Sequence, residues 1–157
     1  EITTRLVGSE MCIRDSSTIV TKREVIPYEQ YHLDNAKLFE GDSIVYIQRI
    51  RYADATPIMI ENNYYPCHKF SFLLTEPLDG SLYQLFRENY DICIGCSQNS
   101  YIDAVKASTE QANLLHISPG DPLFLFHTEM YDTHNELIHI GYEYICGSKY
   151  RFCYDNS

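Results

Sequence analysis

Residues 45–66 constrain the fold most, because they alternate like a β-hairpin yet place two arginines where apolar residues are usual. Arg49 and Arg51 occupy alternate positions of the first strand, so both side chains face the same side. Residues 54–57, Asp-Ala-Thr-Pro, predict a turn, and a second β-rich run follows it. The stretch therefore predicts a hairpin with a cationic face.

The length of the hairpin loop decides which residues face these arginines. With a three-residue loop, Arg51 faces Met59 and Arg49 faces Glu61. A two-residue loop would shift the register by one residue and turn Glu61 to the opposite face. The placement of Glu61 is thus conditional on the loop.

Composition limits the class of protein. A chain of 157 residues is long enough for one domain with a real core. Its net charge of −10 argues against direct contact with DNA, because binding phosphates requires a basic surface. No segment has the length of a membrane span or the pattern of a signal peptide, so we expect a soluble, cytoplasmic protein.

The remaining patterns predict an α+β domain with an antiparallel sheet flanked by helices. The predicted elements are a strand at 17–26, a helix at 31–39 with Leu33, Ala36 and Leu38 inward, an irregular segment at 66–79, a helix capped by Ser81, a strand at 92–105, a helix capped by Ser108 and Gln111, and a hairpin at 123–145. Residues 7–16 resemble a translated adapter sequence. We therefore expect residues 1–16 to be a non-native or disordered leader, and residues 17–157 to form the domain.

A weak internal repeat divides the domain into two helix-plus-hairpin halves. Gly41-Asp42 and a hairpin in the first half are echoed by Gly120-Asp121 and a hairpin in the second. The halves differ in chemistry, because the stretch that matches Arg49 and Arg51 offers His127 and Glu129 instead.

Several residues could bind an anion. Two arginines on one strand face match phosphate or carboxylate oxygens, although salt bridges to Glu61 are an equally ordinary use of them. Ser81 at a helix start could add an anion-binding hydroxyl or be a plain N-cap. Glu61 and Glu143 could accept hydrogen bonds from sugar hydroxyls or remain solvated. No metal, hydrolase or nucleotide-loop motif is present, so we expect neither metal nor cofactor.

Taken together, the pieces resemble the UTRA domain, the effector-binding half of GntR-type bacterial transcription regulators of the HutC-like group. The resemblance extends over residues 17–152 and rests on the order and spacing of several short motifs. These motifs are Ala36-x-Leu38, Gly41, Arg49-Ile-Arg51-Tyr-Ala-Asp54, Glu61-Asn-Asn-Tyr-Tyr-Pro66, Ser81-Leu-Tyr83, Ala112-x-x-Leu115, Gly120-Asp-Pro-Leu123, Tyr131-Asp132 and Tyr150-Arg-Phe152. One departure is Ala55, which stands where the hairpin turn commonly has glycine.

The resemblance implies a chorismate lyase-like fold, a homodimer, and a cleft for a small anionic effector such as a phosphorylated sugar or amino sugar. DNA would be contacted only through an N-terminal winged-helix domain that this chain lacks. The residues that the resemblance assigns to effector binding are Arg49, Arg51, Glu61, Ser81, Tyr83, Glu143 and Tyr150. It implies sensing without catalysis; the alternatives are a lyase-like enzyme and a dimerisation module without a ligand.

Overall fold

The computed structural model describes residues 2–7, 16–33 and 35–156, with side chains for 16–33 and 35–151. The strands are β1 (Ile2–Val7), β2 (Ser16–Ile26), β3 (Ile44–Ala53), β4 (Thr56–Pro66), β5 (Ile94–Lys106), β6 (Pro122–Asp132), β7 (Leu137–Cys146) and β8 (Arg151–Asn156). The α-helices are α1 (Cys67–Phe70), α2 (Leu82–Tyr90) and α3 (Thr109–Leu115), and short 3-10 helices span Tyr28–Gln30, Ala36–Phe39 and Ser71–Leu74. Among the described residues, no helix has the length and apolar character needed to cross a bilayer.

The main sheet has six antiparallel strands in the order β2-β3-β4-β7-β6-β5. Each predicted half therefore contributes three consecutive strands, and the halves join where β4 pairs with β7. The Gly-Asp turns that mark the repeat also match, because Gly41 and Gly120 both adopt left-handed backbone, with φ of 81° and 87°. The predicted α+β class with an antiparallel sheet is confirmed.

The first hairpin combines the two registers that the sequence allowed. Its loop has two residues, Asp54 and Ala55, both with positive φ as a type I′ turn requires. A bulge next to the turn then shifts the register by one residue, so that Arg49 pairs with Glu61 and Arg51 with Met59. The pairs expected from a three-residue loop are found, although the loop itself has two residues and the bulge restores the register.

Helices cover both faces of this sheet. Leu82 and Phe86 of α2 are buried against Val45, Ile47 and their neighbours on one face. Ala112 and Leu115 of α3 are buried on the other face. Both helices begin at the predicted serine caps, Ser81 and Ser108, and the second is a full capping box. The start of α2 therefore lies over the same face as the paired arginines.

The predicted helix at 31–39 is wrong. Its C-terminal part is only a 3-10 turn, Ala36–Phe39, because Asn35 before it adopts left-handed backbone with φ of 60°. Leu33 and Leu38 are 42% and 40% exposed, and the buried residues are Tyr31 and Phe39. The segment after β4, predicted to be irregular, instead contains α1 and the 3-10 helix that follows it.

The leader differs from its prediction in one part. Residues 2–7 form β1, which pairs with β8 in a separate two-stranded sheet. Residue 16 already belongs to β2, and residues 8–15 lie outside the described part of the chain. The non-native origin of residues 1–16 stays a prediction.

Candidate functional site

A polar cleft of about 410 Å³ lies between the sheet and the start of α2. Strands β2, β3, β4 and β7 form its floor, and residues 79–83 form its roof. Six of the seven predicted effector-binding residues line it, namely Arg49, Arg51, Glu61, Ser81, Tyr83 and Glu143. The volume suits a molecule of the size of a monosaccharide phosphate.

The centre of the floor is built by β4 and β7, whose alternate residues point into the cleft. Three cross-strand pairs follow one another along these strands: Glu61 with Glu143, Asn63 with Gly141, and Tyr65 with His139. The cleft thus changes from acidic to neutral polar and aromatic along its length.

Arg49 is committed to internal contacts. Its side chain is buried, and its Nε and Nη2 donate to Glu61 Oε2 at 3.0 and 2.6 Å. Its Nη1 donates to the carbonyl oxygens of Leu78 at 3.0 Å and Gly80 at 2.9 Å. Four of the five N–H groups of the guanidinium are therefore used. Arg49 fixes the segment before α2 to the sheet, and one N–H remains for a ligand.

Arg51 is the more available arginine. Its side chain is 36% exposed, and its Nη1 lies 3.8 Å from Glu61 Oε1. That distance marks a loose ion pair rather than a hydrogen bond. Arg51 itself is one of the residues that line the cleft. A phosphate or carboxylate entering the cleft would therefore meet a cation that is not already neutralised.

Ser81 is both an N-cap and a cleft residue. Its Oγ accepts from the Gln84 N–H at 3.3 Å, so its own O–H is available as a donor. The first N–H groups of α2, on Leu82 and Tyr83, have no partner within the helix, and both residues line the cleft. The helix dipole adds partial positive charge at this point.

Glu143 differs from Glu61, the carboxylate beside it in the cleft. Within the described residues it makes no hydrogen bond or ion pair, whereas Glu61 is bound by Arg49. Burial, together with the nearby Glu61 carboxylate, raises the pKa of Glu143 to about 7, although Arg51 and Arg49 oppose the shift. Glu143 can therefore change protonation near neutral pH.

Tyr83 reaches across the cleft from α2 to β7. Its hydroxyl lies 2.9 Å from Nε2 of His139, and the two rings are stacked with centroids 6.0 Å apart. Burial lowers the pKa of His139 to about 4, so the imidazole is neutral near pH 7.

Tyr150 does not line the cleft. It is 9% exposed and packs against Ile58, Met59 and Ile145. Burial raises the pKa of its phenol, and Arg51 and Glu143 are close enough for their charges to act on it. Tyr150 therefore lies near the arginine end of the cleft without lining it.

Asn63, Tyr65 and His139 are among the cleft residues that were not predicted. Two of them were accessible from the sequence, because Asn63 and Tyr65 alternate with Glu61 on one strand face. His139 alternates in the same way with Glu143, but its position depended on the pairing of β4 with β7. No local pattern predicts that pairing.

This antiparallel α+β architecture, with a polar cleft on one face, defines a domain of the chorismate lyase-like class. The particular family follows from the sequence: residues 14–151 match the model of the UTRA domain. The chain belongs to the UTRA domain family, which occurs in GntR-type transcriptional regulators.

Several solved structures have the same fold. A Bacillus subtilis protein described as the transcriptional regulator YydK is 18% identical, with a TM-score of 0.80 over 91% of this chain and 62% of YydK. The ligand-binding domain of a protein described as a GntR-family regulator from Bordetella bronchiseptica is 21% identical, with a TM-score of 0.78 over 98% and 95% of the two chains. The effector domain of PhnF from Mycobacterium smegmatis is 18% identical, with a TM-score of 0.76 over 86% and 83%. The chain thus spans less than two thirds of YydK, and at these identities the similarity establishes the fold.

Proposed function

We propose that this chain is the effector-sensing domain of a GntR-type regulator of the HutC-like group, and that its cleft binds a phosphorylated sugar or amino sugar. The observation that carries the proposal is the position of Arg51, a loosely paired guanidinium in a cleft that also contains the start of α2. Arg51, the Ser81 hydroxyl and the first N–H groups of α2 together offer charge-assisted donors for one phosphate.

The acidic centre of the cleft supports a sugar next to that phosphate. Glu143 has unused acceptor capacity, and Glu61 is held in place by Arg49. Carboxylate oxygens of this kind accept hydrogen bonds from hydroxyl groups or pair with an amine. Three carboxylates line the cleft, since Asp79 lies in its roof, and they disfavour a ligand that is anionic along its whole length.

We infer a binding role rather than a catalytic one. The similar structures are described as regulators or their effector domains. The cleft is open, which favours a sensor over a dimerisation module whose ligand site has closed. Incubation with chorismate should release no pyruvate.

In the whole regulator, a separate winged-helix domain would bind DNA, and two copies of this domain would pair. The 13-residue strand β5 supports pairing, because it lies at one edge of the sheet with Tyr101 and Ile102 about 40% exposed. The effector would act by binding one arrangement of the pair more tightly than another. Such a regulator would work in the bacterial cytoplasm, where its operator lies.

Isothermal titration with glucose 6-phosphate, glucosamine 6-phosphate and their unphosphorylated sugars tests the proposal. We expect only the phosphorylated probes to bind, and Arg51→Gln to weaken binding at least tenfold. Ser81→Ala should weaken it as well. Ser108→Ala is the matched control, because it removes an equivalent N-cap from α3, away from the cleft.

Three results would count against the phosphate site. Equal binding of glucose and glucose 6-phosphate would show that the anion contributes nothing. Equal effects of Ser81→Ala and Ser108→Ala on affinity would show that Ser81 acts only as a cap. Binding of glucuronate in place of the phosphates would reassign the anion to a carboxylate.

A further inference from the structure

Buried polar atoms without a partner collect at one end of the cleft. Within the described residues, Asn63 Oδ1, Tyr65 Oη and His139 Nδ1 make no well-formed hydrogen bond, although the Asn63 side chain lies close enough to the Tyr65 hydroxyl to act on it. Their residues are 7%, 0% and 4% exposed. Buried polar atoms in folded proteins almost always have a hydrogen-bond partner. Three such atoms in the wall of one cleft therefore indicate that a bound molecule supplies the missing hydrogen bonds.

The lack of a side chain at Gly141 lets two of these atoms approach its Cα from different strands. Gly141 pairs with Asn63 across β4 and β7, and it has no side chain to fill the floor between them. A Cβ built at Gly141 would lie 2.9 Å from Asn63 Oδ1 and 3.3 Å from His139 Nδ1. The two atoms therefore border the same small volume above the glycine.

The hydrogen-bonding character of this volume follows from its neighbours. His139 is uncharged near neutral pH, so one ring nitrogen carries a proton and the other does not. Two acceptors directed at one volume would repel each other, which favours the proton on Nδ1. Nε2 then accepts from the Tyr83 hydroxyl at 2.9 Å. One donor, His139 Nδ1–H, and one acceptor, Asn63 Oδ1, face the space.

We propose that the volume above Gly141 is a neutral subsite for one ligand hydroxyl, which donates to Asn63 Oδ1 and accepts from His139 Nδ1–H. The inference rests on the proposed function, because it assigns the end of the sugar distant from the phosphate. Arg51 and Asn63 lie on opposite sides of the Glu61 level of the sheet. Each two-residue step along a strand is about 7 Å, so the two ends of the cleft match the two ends of a hexose phosphate.

The first experiment needs no ligand and compares two neighbouring asparagines. Asn62 lies on the opposite face of β4, and its Oδ1 accepts from Tyr46 at 2.6 Å and Gln48 at 2.9 Å. Asn62→Leu should lower the urea midpoint of the free protein because it removes bonded contacts. Asn63→Leu should leave the midpoint unchanged or raise it, because an unpaired acceptor is replaced by an apolar group. A fall as large as that of Asn62→Leu would overturn the inference.

The second experiment measures titration of glucose 6-phosphate and its four monodeoxy analogues. In the unmodified protein, loss of one particular hydroxyl should weaken binding about tenfold or more. In Asn63→Leu, loss of the same hydroxyl should change affinity less than twofold. Gly141→Ala should weaken binding of the parent sugar phosphate while the Arg51 dependence persists.

The outcomes separate this inference from the proposed function. If binding depends on Arg51 but every hydroxyl deletion has the same effect in Asn63→Leu as in the unmodified protein, the subsite contains only ordered water and the inference fails alone. If no phosphorylated probe binds, the proposed function and the subsite fail together.

Discussion

Glu61 and Glu143 lie directly opposite each other on β4 and β7, yet only Glu61 is held by an arginine. Like charges in this position repel, and the structure separates their roles. Glu61 belongs to a buried ion pair with Arg49, whereas Glu143 is left to titrate in the cleft. We therefore expect Glu61 to contribute to stability through its ion pair, and Glu143 to make stability and binding depend on pH.

The two arginines should differ sharply in their contribution to stability. Arg49→Ala leaves the buried Glu61 carboxylate and two carbonyl oxygens unpaired, and should lower the free energy of unfolding by about 3–5 kcal/mol. Arg51→Ala removes a loose, partly exposed pair and should change it by less than about 1 kcal/mol. Urea denaturation of both variants measures the difference. Similar losses would mean that Arg51 is also structural.

Glu143→Gln should change how stability depends on pH. A carboxyl whose pKa rises on folding from 4.5 to about 7 binds protons more tightly when folded. Its stabilising contribution is therefore complete below pH 4.5 and is lost as the pH rises through 7. The glutamine variant should lack this loss and be more stable than the parent by about 2 kcal/mol at pH 8. Urea unfolding of the parent and the glutamine variant at pH 5 and pH 8 tests this expectation. If the two proteins differ in stability by the same amount at both pH values, Glu143 does not titrate between them.

The same carboxyl should make selectivity for an amine depend on pH. The ratio of the affinities for glucosamine 6-phosphate and glucose 6-phosphate should rise up to about tenfold from pH 5.5 to 7.5, because ionised Glu143 attracts an ammonium group. Both probes contain the phosphate, so its own titration cancels in the ratio. In Glu143→Gln the ratio of affinities should not change with pH. If it still rises with pH in that variant, the ammonium group does not bind next to Glu143.

The tip of the first hairpin offers a stabilising substitution. Ala55 has φ of 66°, a conformation that glycine adopts without steric penalty. Ala55→Gly should therefore raise the free energy of unfolding by about 0.5–1 kcal/mol. Ala53→Gly, within β3, is the control and should lower it by a similar amount. A loss of stability in both variants would mean that backbone entropy outweighs the strain at Ala55.

Local patterns predicted the elements that depend on nearby residues. The Arg49–Glu61 pair follows from alternation within one hairpin, and the caps at Ser81 and Ser108 follow from residues three positions apart. One exception is the segment before β3, where the left-handed Asn35 interrupts a helical pattern. Asparagine tolerates positive φ better than most residues, but the sequence alone does not show which asparagine adopts it.

The site could be predicted only in part because it joins distant segments. Arg49 binds the carbonyl oxygens of Leu78 and Gly80, about thirty residues away, and no sequence pattern reports such a contact. His139 lies in the cleft because β4 pairs with β7, and these two strands are far apart in the sequence. Tyr150 was assigned to the cleft by family resemblance, but it packs against Met59 and Ile145 and is not among the residues that line the cleft.

The pairing of β4 with β7 is where the two halves of the sheet meet, and it lies directly beneath the cleft. A ligand held by Arg51 from the first half and by Glu143 and His139 from the second would oppose any separation of these strands. Amide hydrogen exchange in both strands would then slow together on binding, even though each belongs to a different half. Binding of one small ligand in the cleft would thereby determine how strongly the central strands of the sheet are protected from hydrogen exchange.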